Sequence, residues 1–537
     1  MANEQFGMIG LGTMGRNFLL NVAEKGFSGV GYDLDESKRQ LLLEEGKEFN
    51  LQTAENLPDF LEKLESPRKI MILVPAQVVD FVINDLLNIL DAGDIVIDGG
   101  NSHFPDTERR EKVLAEKNIE FLGVGVSGGE EGARHGASIM IGGKREIYAH
   151  VEKILEAASA KVNGESCAAY VGNSSAGHFV KMVHNGIEYG LMQILAETYD
   201  FMLRVLKMDY NQMSETFAKW NDSELNSFLV EITAEVLRKS DAETGKPLVE
   251  MVLDKAAQKG TGKWTSQAAM DFGVPIPTID SAVSMRQISA QKETRNLIAE
   301  KYGSHLSVVQ GQLSVNGETV SSVSQHDLKA EFAVHDVETV ASEQQKAIIG
   351  DITGENLMKN LADSERNDEI RETLGESPEK FVEELKNTLL SSFITTYAQG
   401  MSLLQTVSTE KNYGLNLAEI AKIWRGGCII RSALLEDMRR AFAENPDLPN
   451  LILDDKFAEI LNRNRENWRS VNEKFLESRV PSLCLSSALA YFDAFRSERL
   501  PANLIQAQRD YFGAHTYQRT DKEGVFHTPD WNEESKK

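Results

Sequence analysis

Phe6-Gly7-Met8-Ile9-Gly10-Leu11-Gly12-Thr13-Met14-Gly15 decides the fold. A short apolar strand runs into Gly10-x-Gly12-x-x-Gly15, and an amphipathic helix follows through about Lys25. The glycine spacing alone is weak. After a strand, at the start of a helix and ahead of an acid about 20 residues on, it reads as a dinucleotide-binding turn. The glycines allow a tight turn and let a pyrophosphate approach the helix N-terminus. Gly10, Leu11, Gly12, Thr13, Met14 and Gly15 are therefore candidate cofactor residues. The acid is Asp33, closing a second strand Val30-Gly31-Tyr32-Asp33. A carboxylate there accepts hydrogen bonds from ribose hydroxyls and repels a 2′-phosphate, which favours NAD and leaves NADP possible. Lys38 and Arg39, opening the next helix, act against that preference.

Further apolar strands, Lys69 to Val74 and Asp94 to Asp98, alternate with helical stretches. They are near-continuous in apolar character, as parallel strands buried on both faces are. The pattern predicts an α/β Rossmann-type doubly wound domain over 1–176. Asp98-Gly99-Gly100-Asn101-Ser102 lies at a strand's carboxyl end, where such sheets bind ligands. Ser127-Gly128-Gly129 ends another apolar segment, Ile119 to Val126, and its glycines expose N–H groups suited to oxyanions.

From about Ala176 the pattern becomes helical, predicting a large all-α domain over 177–499 and a C-terminal tail over 500–537. Lys181, His184, Asn185 and Glu188 recur at i, i+3, i+4, i+7, which puts them on one helix face. Met182, Val183, Gly186 and Ile187 face elsewhere. The polar stripe must then meet water, a partner or a site. As a site it is an acid/base kit; as a plain surface it is a solvated face with a Lys/Glu pair. Gln258-Lys259-Gly260-Thr261-Gly262-Lys263-Trp264-Thr265 is not a Walker A loop, but it offers cations, a hydroxyl and N–H groups to a phosphate. Arg286 adds a bidentate donor.

The chain has 537 residues, 41% hydrophobic and 26% charged, enough for two or three domains with a large core. Its net charge of −25 argues against non-specific nucleic-acid binding and against an anionic membrane surface. No run is long enough to span a bilayer and no leader precedes the first strand, so a cytoplasmic protein is expected. The three cysteines, Cys167, Cys428 and Cys484, lack CxxC spacing and suit reduced thiols; no metal-ligand cluster is visible. Over about 310–378 acids outnumber bases, and an Asn316-Gly317 hairpin turn opens the stretch. It reads as an insertion before the helical pattern resumes at Phe381 to Met401. The tail carries Gln506 to His515 and then turns irregular and polar, often the mark of a frayed end.

These segments together resemble the 6-phosphogluconate dehydrogenase family. The resemblance is carried by Gly10–Gly15, Asp98–Ser102, Val126–Arg134, Gly177 through Tyr189, Gln258–Thr265, Trp424 to Arg431 and Gln506–His515, in family order. It implies oxidative decarboxylation of 6-phospho-D-gluconate to ribulose 5-phosphate. Lys181 would take the proton from the C3 hydroxyl, and Glu188 would protonate C1. Asn101, Ser127, Gly128, Gly129, His184 and Asn185 would position the carboxylate and hydroxyls. Tyr189, Lys259, Thr261 and Arg286 would hold the phosphate, and Arg509 and His515 would complete the site from the other subunit of a homodimer. Two departures stand out. Cofactor-gripping Asn-Arg-Thr/Ser is replaced by Asp33-Leu34-Asp35, and Val-Lys-Ala by Val74-Pro75-Ala76, both pointing to NAD. The second departure is the insertion. A shorter β-hydroxyacid dehydrogenase, which does not need the phosphate set, and an inactive nucleotide-binding relative are the alternatives.

Overall fold

The computed structural model describes residues 4–258, 260–302, 370, 378–529 and 531, together with the backbone of two short strands, Leu313–Val315 and Glu318–Val320. Those two strands pair antiparallel. Asn316, Gly317 and the rest of the acidic stretch, apart from Ile370, lie outside the described residues.

The N-terminal unit is built on β1 (Phe6–Ile9), β2 (Gly29–Tyr32), β3 (Leu51–Thr53), β4 (Lys69–Ile72), β5 (Ile95–Asp98), β6 (Glu120–Ser127), β7 (Ser138–Gly143) and β8 (Ala168–Gly172). They form one sheet in the order β8-β7-β6-β5-β4-β1-β2-β3. Alternate residues feed two cores. Met8, Met71, Ile95 and Ile97 enter one, and Ile9, Ile70, Ile72 and Val96 the other. This is why the strands read as unbroken apolar runs.

The strands expected to be parallel, β4 and β5, are so, and the sheet departs from parallel pairing at one edge. β7 runs antiparallel to β6, and β8 runs parallel to β7. The reason is length. Only residues 128–137, with the short helix Gly129–His135, join Ser127 to Ser138, whereas a parallel crossover needs a dozen or more residues.

The helix Ala176–Arg204, the central helix, leaves the sheet for the helical unit. It packs on β6 and β7 at its start, then on Thr261–Asp271, Pro277–Ala290 and Pro378–Lys411. Glycines make the first contact possible. A Cβ on Gly177 would lie 2.2 Å from the Gly123 carbonyl, and one on Gly142 would lie 2.3 Å from the Gly177 nitrogen. The helix is therefore buried nearly all round. Among the described residues no helix is long and apolar enough to cross a membrane, and all three cysteines are free and buried.

Further along the helix, the buried Glu197 accepts N–H groups from Cys484 (3.0 Å) and Leu485 (2.9 Å), capping the helix Leu483–Phe495. Burial raises its pKa to about 7 despite those donors. The folded state therefore holds a proton that the unfolded chain releases between about pH 4.5 and 7. Stability from this group falls as pH rises through that window and is flat above it. The Glu197→Gln variant should lose this slope. Urea titrations at pH 5 and pH 8 should show the parent losing stability relative to the variant, by at most about 3 kcal/mol.

Candidate active site

The polar stripe of the central helix is not a solvated face. Lys181 is 7% exposed, His184 is fully buried and Asn185 is buried; only Glu188 keeps a 20% exposed side chain. Gly125 on β6 makes room, since a Cβ there would lie 2.4 Å from Lys181 Cβ. Among the described residues Lys181 Nζ makes no hydrogen bond or ion pair. Burial lowers its pKa, opposed by the charge of Glu188. Burial raises the pKa of Glu188, opposed by Lys181 and Arg286. For both groups desolvation outweighs mutual attraction, so each is driven toward its neutral form.

His184 links the stripe to the Ser127 turn. Its Nε2 lies 3.2 Å from Ser127 Oγ and its Nδ1 3.1 Å from Asn185 Oδ1. Burial, reinforced by Lys181, holds its pKa well below the ordinary value. A neutral ring with the amide oxygen at Nδ1 donates there and accepts from the Ser127 hydroxyl at Nε2. The Trp424 ring stands edge-on to His184 at 5.6 Å.

Gly128 and Gly129 turn with φ of +115° and +61°, which favours glycine. A Cβ on Gly128 would come 2.5 Å from the Gly427 carbonyl, which accepts the Ser138 N–H at 2.7 Å. The segment Trp424 to Cys428 thus forms the floor under the Gly128–Gly129 turn. Cys428 donates to the Trp424 carbonyl at 3.0 Å, and burial pushes its thiol up to about 12. Sequence reading quoted this segment without giving it a role; its paired glycines were the signal.

Asn101 is exposed at the tip of a braced loop. Behind it the buried Arg110 holds Asp98 Oδ2 (2.9 Å) and Ser102 Oγ (2.8 Å), and its Nε reaches Asp80 at 2.7 Å. Neither Arg110 nor Asp80 was expected from the sequence. Their partners lie many residues away, and neither carries a motif. Val74, Pro75 and Ala76 border the same corner. A Cβ on Gly100 would lie 3.2 Å from the Val74 carbonyl, Pro75 precedes a short 3₁₀ turn, and the Ala76 carbonyl accepts from Arg110 at 3.4 Å. Next to Ser102, the His103 ring stacks on Trp264 of the helix Thr261–Asp271, with centroids 4.7 Å apart. That stack bridges the two units.

The dinucleotide turn has the shape its glycines imply. Gly10 has φ +95°, and a Cβ on Gly15 would sit 1.9 Å from the Gly10 carbonyl. Nothing lies within 4 Å of a Cβ on Gly12, and the helix that it caps, Thr13–Glu24, has no side-chain cap. Its first-turn N–H groups are thus available to a pyrophosphate, and Leu11, Thr13 and Met14 line the same turn. Asp33 accepts the Leu11 N–H at 2.8 Å and faces Lys38 Nζ at 3.4 Å. Leu34 is 88% exposed. Asp35 is committed to capping the next helix through Ser37. Arg39 is turned onto the carbonyls of Asp33 (2.6 Å) and Leu34 (3.4 Å).

One residue beyond Glu188 on the central helix, the Tyr189 ring has Arg286 3.6 Å over it. A Cβ on Gly262 would be 2.4 Å from that ring, which brings the buried Thr261 beside Tyr189. Lys259 lies outside the described residues. Arg509 and His515 are not brought to these residues by their own chain. Arg509 bonds Gln506 at 3.1 Å, and His515 lies against Phe512. The tail is not frayed. The helix Ala502–Gly513, the tail helix, precedes a hairpin of Tyr517–Gln518 with Val525–Phe526. Asp510 clamps them together, accepting from Thr516 N (2.9 Å), Thr528 N (2.9 Å), His527 Nδ1 (2.9 Å) and Trp531 Nε1 (3.1 Å). Burial works to raise its pKa, but these donors hold it down at about 2. Among the described residues no group of three His, Cys, Asp or Glu could hold a metal ion.

Known proteins match this arrangement over its whole length. The family profile for the NAD binding domain of 6-phosphogluconate dehydrogenase matches residues 5–172. The profile for the C-terminal domain of the same enzyme matches 177–336 and 350–531. The chain is 44% identical to the NADP(+)-dependent, decarboxylating 6-phosphogluconate dehydrogenase of Bacillus subtilis, over 98% of this chain and 99% of that one. It is 41% identical to a decarboxylating 6-phosphogluconate dehydrogenase of Saccharomyces cerevisiae, over 96% and 88%. Among solved structures, the Plasmodium falciparum 6-phosphogluconate dehydrogenase superposes with a TM-score of 0.82 at 38% identity, covering 98% of this chain and 100% of that one. That enzyme was solved apo, with its cofactor NADP+ and with its substrate 6-phosphogluconate.

Proposed function

The chain belongs to the 6-phosphogluconate dehydrogenase family, and from that premise we propose that it oxidatively decarboxylates 6-phospho-D-gluconate to D-ribulose 5-phosphate and CO2, using NAD in preference to NADP. The observation that carries the reading is the desolvated pair on the central helix, with Lys181 driven toward its free amine and Glu188 toward its acid. A free amine at Lys181 takes the proton from the C3 hydroxyl. The nicotinamide, when bound, accepts the hydride. The resulting β-keto acid loses CO2, and Lys181, now cationic, stabilises the enolate that develops. Glu188 then delivers its proton to C1. Asn101, Ser127, Gly128, Gly129, His184 and Asn185 orient the sugar acid. Tyr189, Lys259, Thr261 and Arg286 hold its phosphate, and Arg509 and His515 reach the same pocket from a second copy. The tail's uncovered apolar face supports that last reading. Leu504, Ile505, Tyr511 and Phe512 are all exposed, the last at 72%.

Cofactor choice departs from the Bacillus subtilis relative. Asp33 stands at the ribose end of β2, and Leu34 offers no donor to a 2′-phosphate. Arg39, six residues on, is engaged with backbone carbonyls. Two like charges a few ångströms apart near a protein surface oppose each other by about 4 kcal/mol before screening. A third of that gives about tenfold discrimination. Steady-state assays with 6-phosphogluconate and each dinucleotide should give the higher kcat/KM with NAD, and ribulose 5-phosphate as product. The triple change Asp33→Asn, Leu34→Arg, Asp35→Thr should move preference toward NADP and make NADP binding more salt-sensitive. A parent enzyme using NADP ten times better than NAD would overturn the cofactor reading. Absence of turnover with either would overturn the activity.

A further inference from the structure

Between the helices Leu248–Met251 and Thr261–Asp271, Val252 to Gln258 form neither helix nor strand, and every one of these residues is exposed. No buried side chain anchors this strip, so burial cannot fix its path. Polar contacts do. Asp254 Oδ1 lies 2.7 Å from Lys292 Nζ and Oδ2 accepts from Arg295 at 2.9 Å, both on the helix Lys292–Tyr302. Arg295 also donates to the Asp254 carbonyl at 3.2 Å and to the Ser289 carbonyl at 3.1 Å. One planar guanidinium thus ties the side chain and main chain of Asp254 to the end of the helix Pro277–Ala290. Ser289 adds a second tie. Its Oγ accepts the Ala256 N–H at 3.0 Å and donates to the Arg286 carbonyl at 2.7 Å.

The strip in turn grips Arg286. The Ala257 carbonyl accepts from Arg286 Nη1 at 3.0 Å, the Tyr189 ring lies beneath the guanidinium at 3.6 Å, and Nη2 meets only the Met192 sulfur at 3.5 Å. A carbonyl at one edge and a ring below leave the guanidinium few orientations. A thioether is a weak acceptor, so Nη2 stays open to an anion. We propose that Asp254 is a positioning residue for the phosphate grip: its ion pairs with Lys292 and Arg295 hold the 252–258 strip so that the Ala257 carbonyl sets the plane of Arg286 over Tyr189. The proposal rests on the reading of Arg286 as a phosphate holder. The Asp254 side chain is 52% exposed, and exposed ion pairs add little to stability. Its loss should therefore show in anion binding rather than in melting.

The test is a double-mutant cycle read by calorimetry in the absence of dinucleotide, so that no turnover is needed. Inorganic phosphate and 6-phosphogluconate are titrated into the parent, Asp254→Ala, Arg286→Ala and the double variant. Arg286→Ala should weaken both ligands about tenfold or more, as loss of a charged hydrogen bond does. Asp254→Ala should weaken both about fivefold while melting like the parent and keeping its affinity for NADH. Added to Arg286→Ala, it should weaken binding by less than about twofold further, because it acts through Arg286. A merely structural Asp254 would lose the same factor in both backgrounds. Equal factors, or parental affinity in Asp254→Ala, would overturn the proposal. Should Asp254→Ala fail to fold, Ser289→Ala, which removes the tie to the Ala256 N–H, takes its place in the cycle under the same criteria. Parental affinity in Arg286→Ala would sink the phosphate reading, and the proposal with it. A parent that binds phosphate through Arg286 but does not turn over 6-phosphogluconate would sink the proposed activity and leave the cycle to decide the role of Asp254.

Discussion

Lys181→Met should reduce kcat by about 10²- to 10⁴-fold, the usual contribution of a general base, while dinucleotide affinity stays close to that of the parent. The expectation follows from geometry. Lys181 lies on the central helix against Gly125, whereas the pyrophosphate turn lies at Gly10 to Gly15 on β1 and the helix after it. Methionine fills a similar volume without a titratable group, so the fold should survive. The pH profile adds a sign. Because burial lowers the Lys181 pKa, the free amine forms at a lower pH than in an ordinary lysine. The acidic limb of kcat/KM in the parent should therefore lie below the usual lysine value of 10.5 and should vanish from any residual activity of the variant. Glu188→Gln should instead slow protonation of C1, and incorporation of solvent hydrogen there should fall with it. Activity of Lys181→Met within threefold of the parent would remove Lys181 from the mechanism.

Deleting the tail from Leu500 onward should abolish activity and weaken self-association together. The tail helix packs chiefly on its own hairpin and is held in shape by Asp510. It presents Leu504, Ile505, Tyr511 and Phe512 to solvent. An ordered arm with a contiguous apolar face needs a cover, and on the reading proposed above a second copy of this chain supplies one. On the same reading Arg509 on that arm would enter the neighbour's site. Mixing inactive Lys181→Met subunits with inactive Arg509→Ala subunits should restore about a quarter of parental activity under random exchange, since one site in each hybrid contains both native residues. Verified hybrids without recovery would mean that the tail serves its own subunit. Full activity in a truncated monomer would remove the tail from the site altogether.

Several of these elements were legible in the sequence for local reasons. The dinucleotide turn was readable because its glycines meet a local steric demand: Gly15 cannot carry a Cβ against the Gly10 carbonyl. The start of the central helix at Ala176 and the Lys181 stripe were readable because helical periodicity is local. The direction of β7 was harder to see, because it depends on counting a connection rather than reading a pattern. The order of the tail was not legible, because it comes from Asp510, whose partners at Thr516, His527, Thr528 and Trp531 look like ordinary loop residues.

By itself the sequence determined which residue types stand on which face of each element, and hence the dinucleotide turn, the acid at the end of β2 and the acid/base stripe. It could not determine whether that stripe met water or was buried, because periodicity ranks faces without saying what covers them. Tertiary structure decided this, by packing β6, the Trp424–Cys428 floor and the helix Thr261–Asp271 around the central helix. Burial then shifted Lys181 and Glu188 toward neutrality. Desolvation depends on every neighbour that displaces water, and most of those neighbours are far away along the chain.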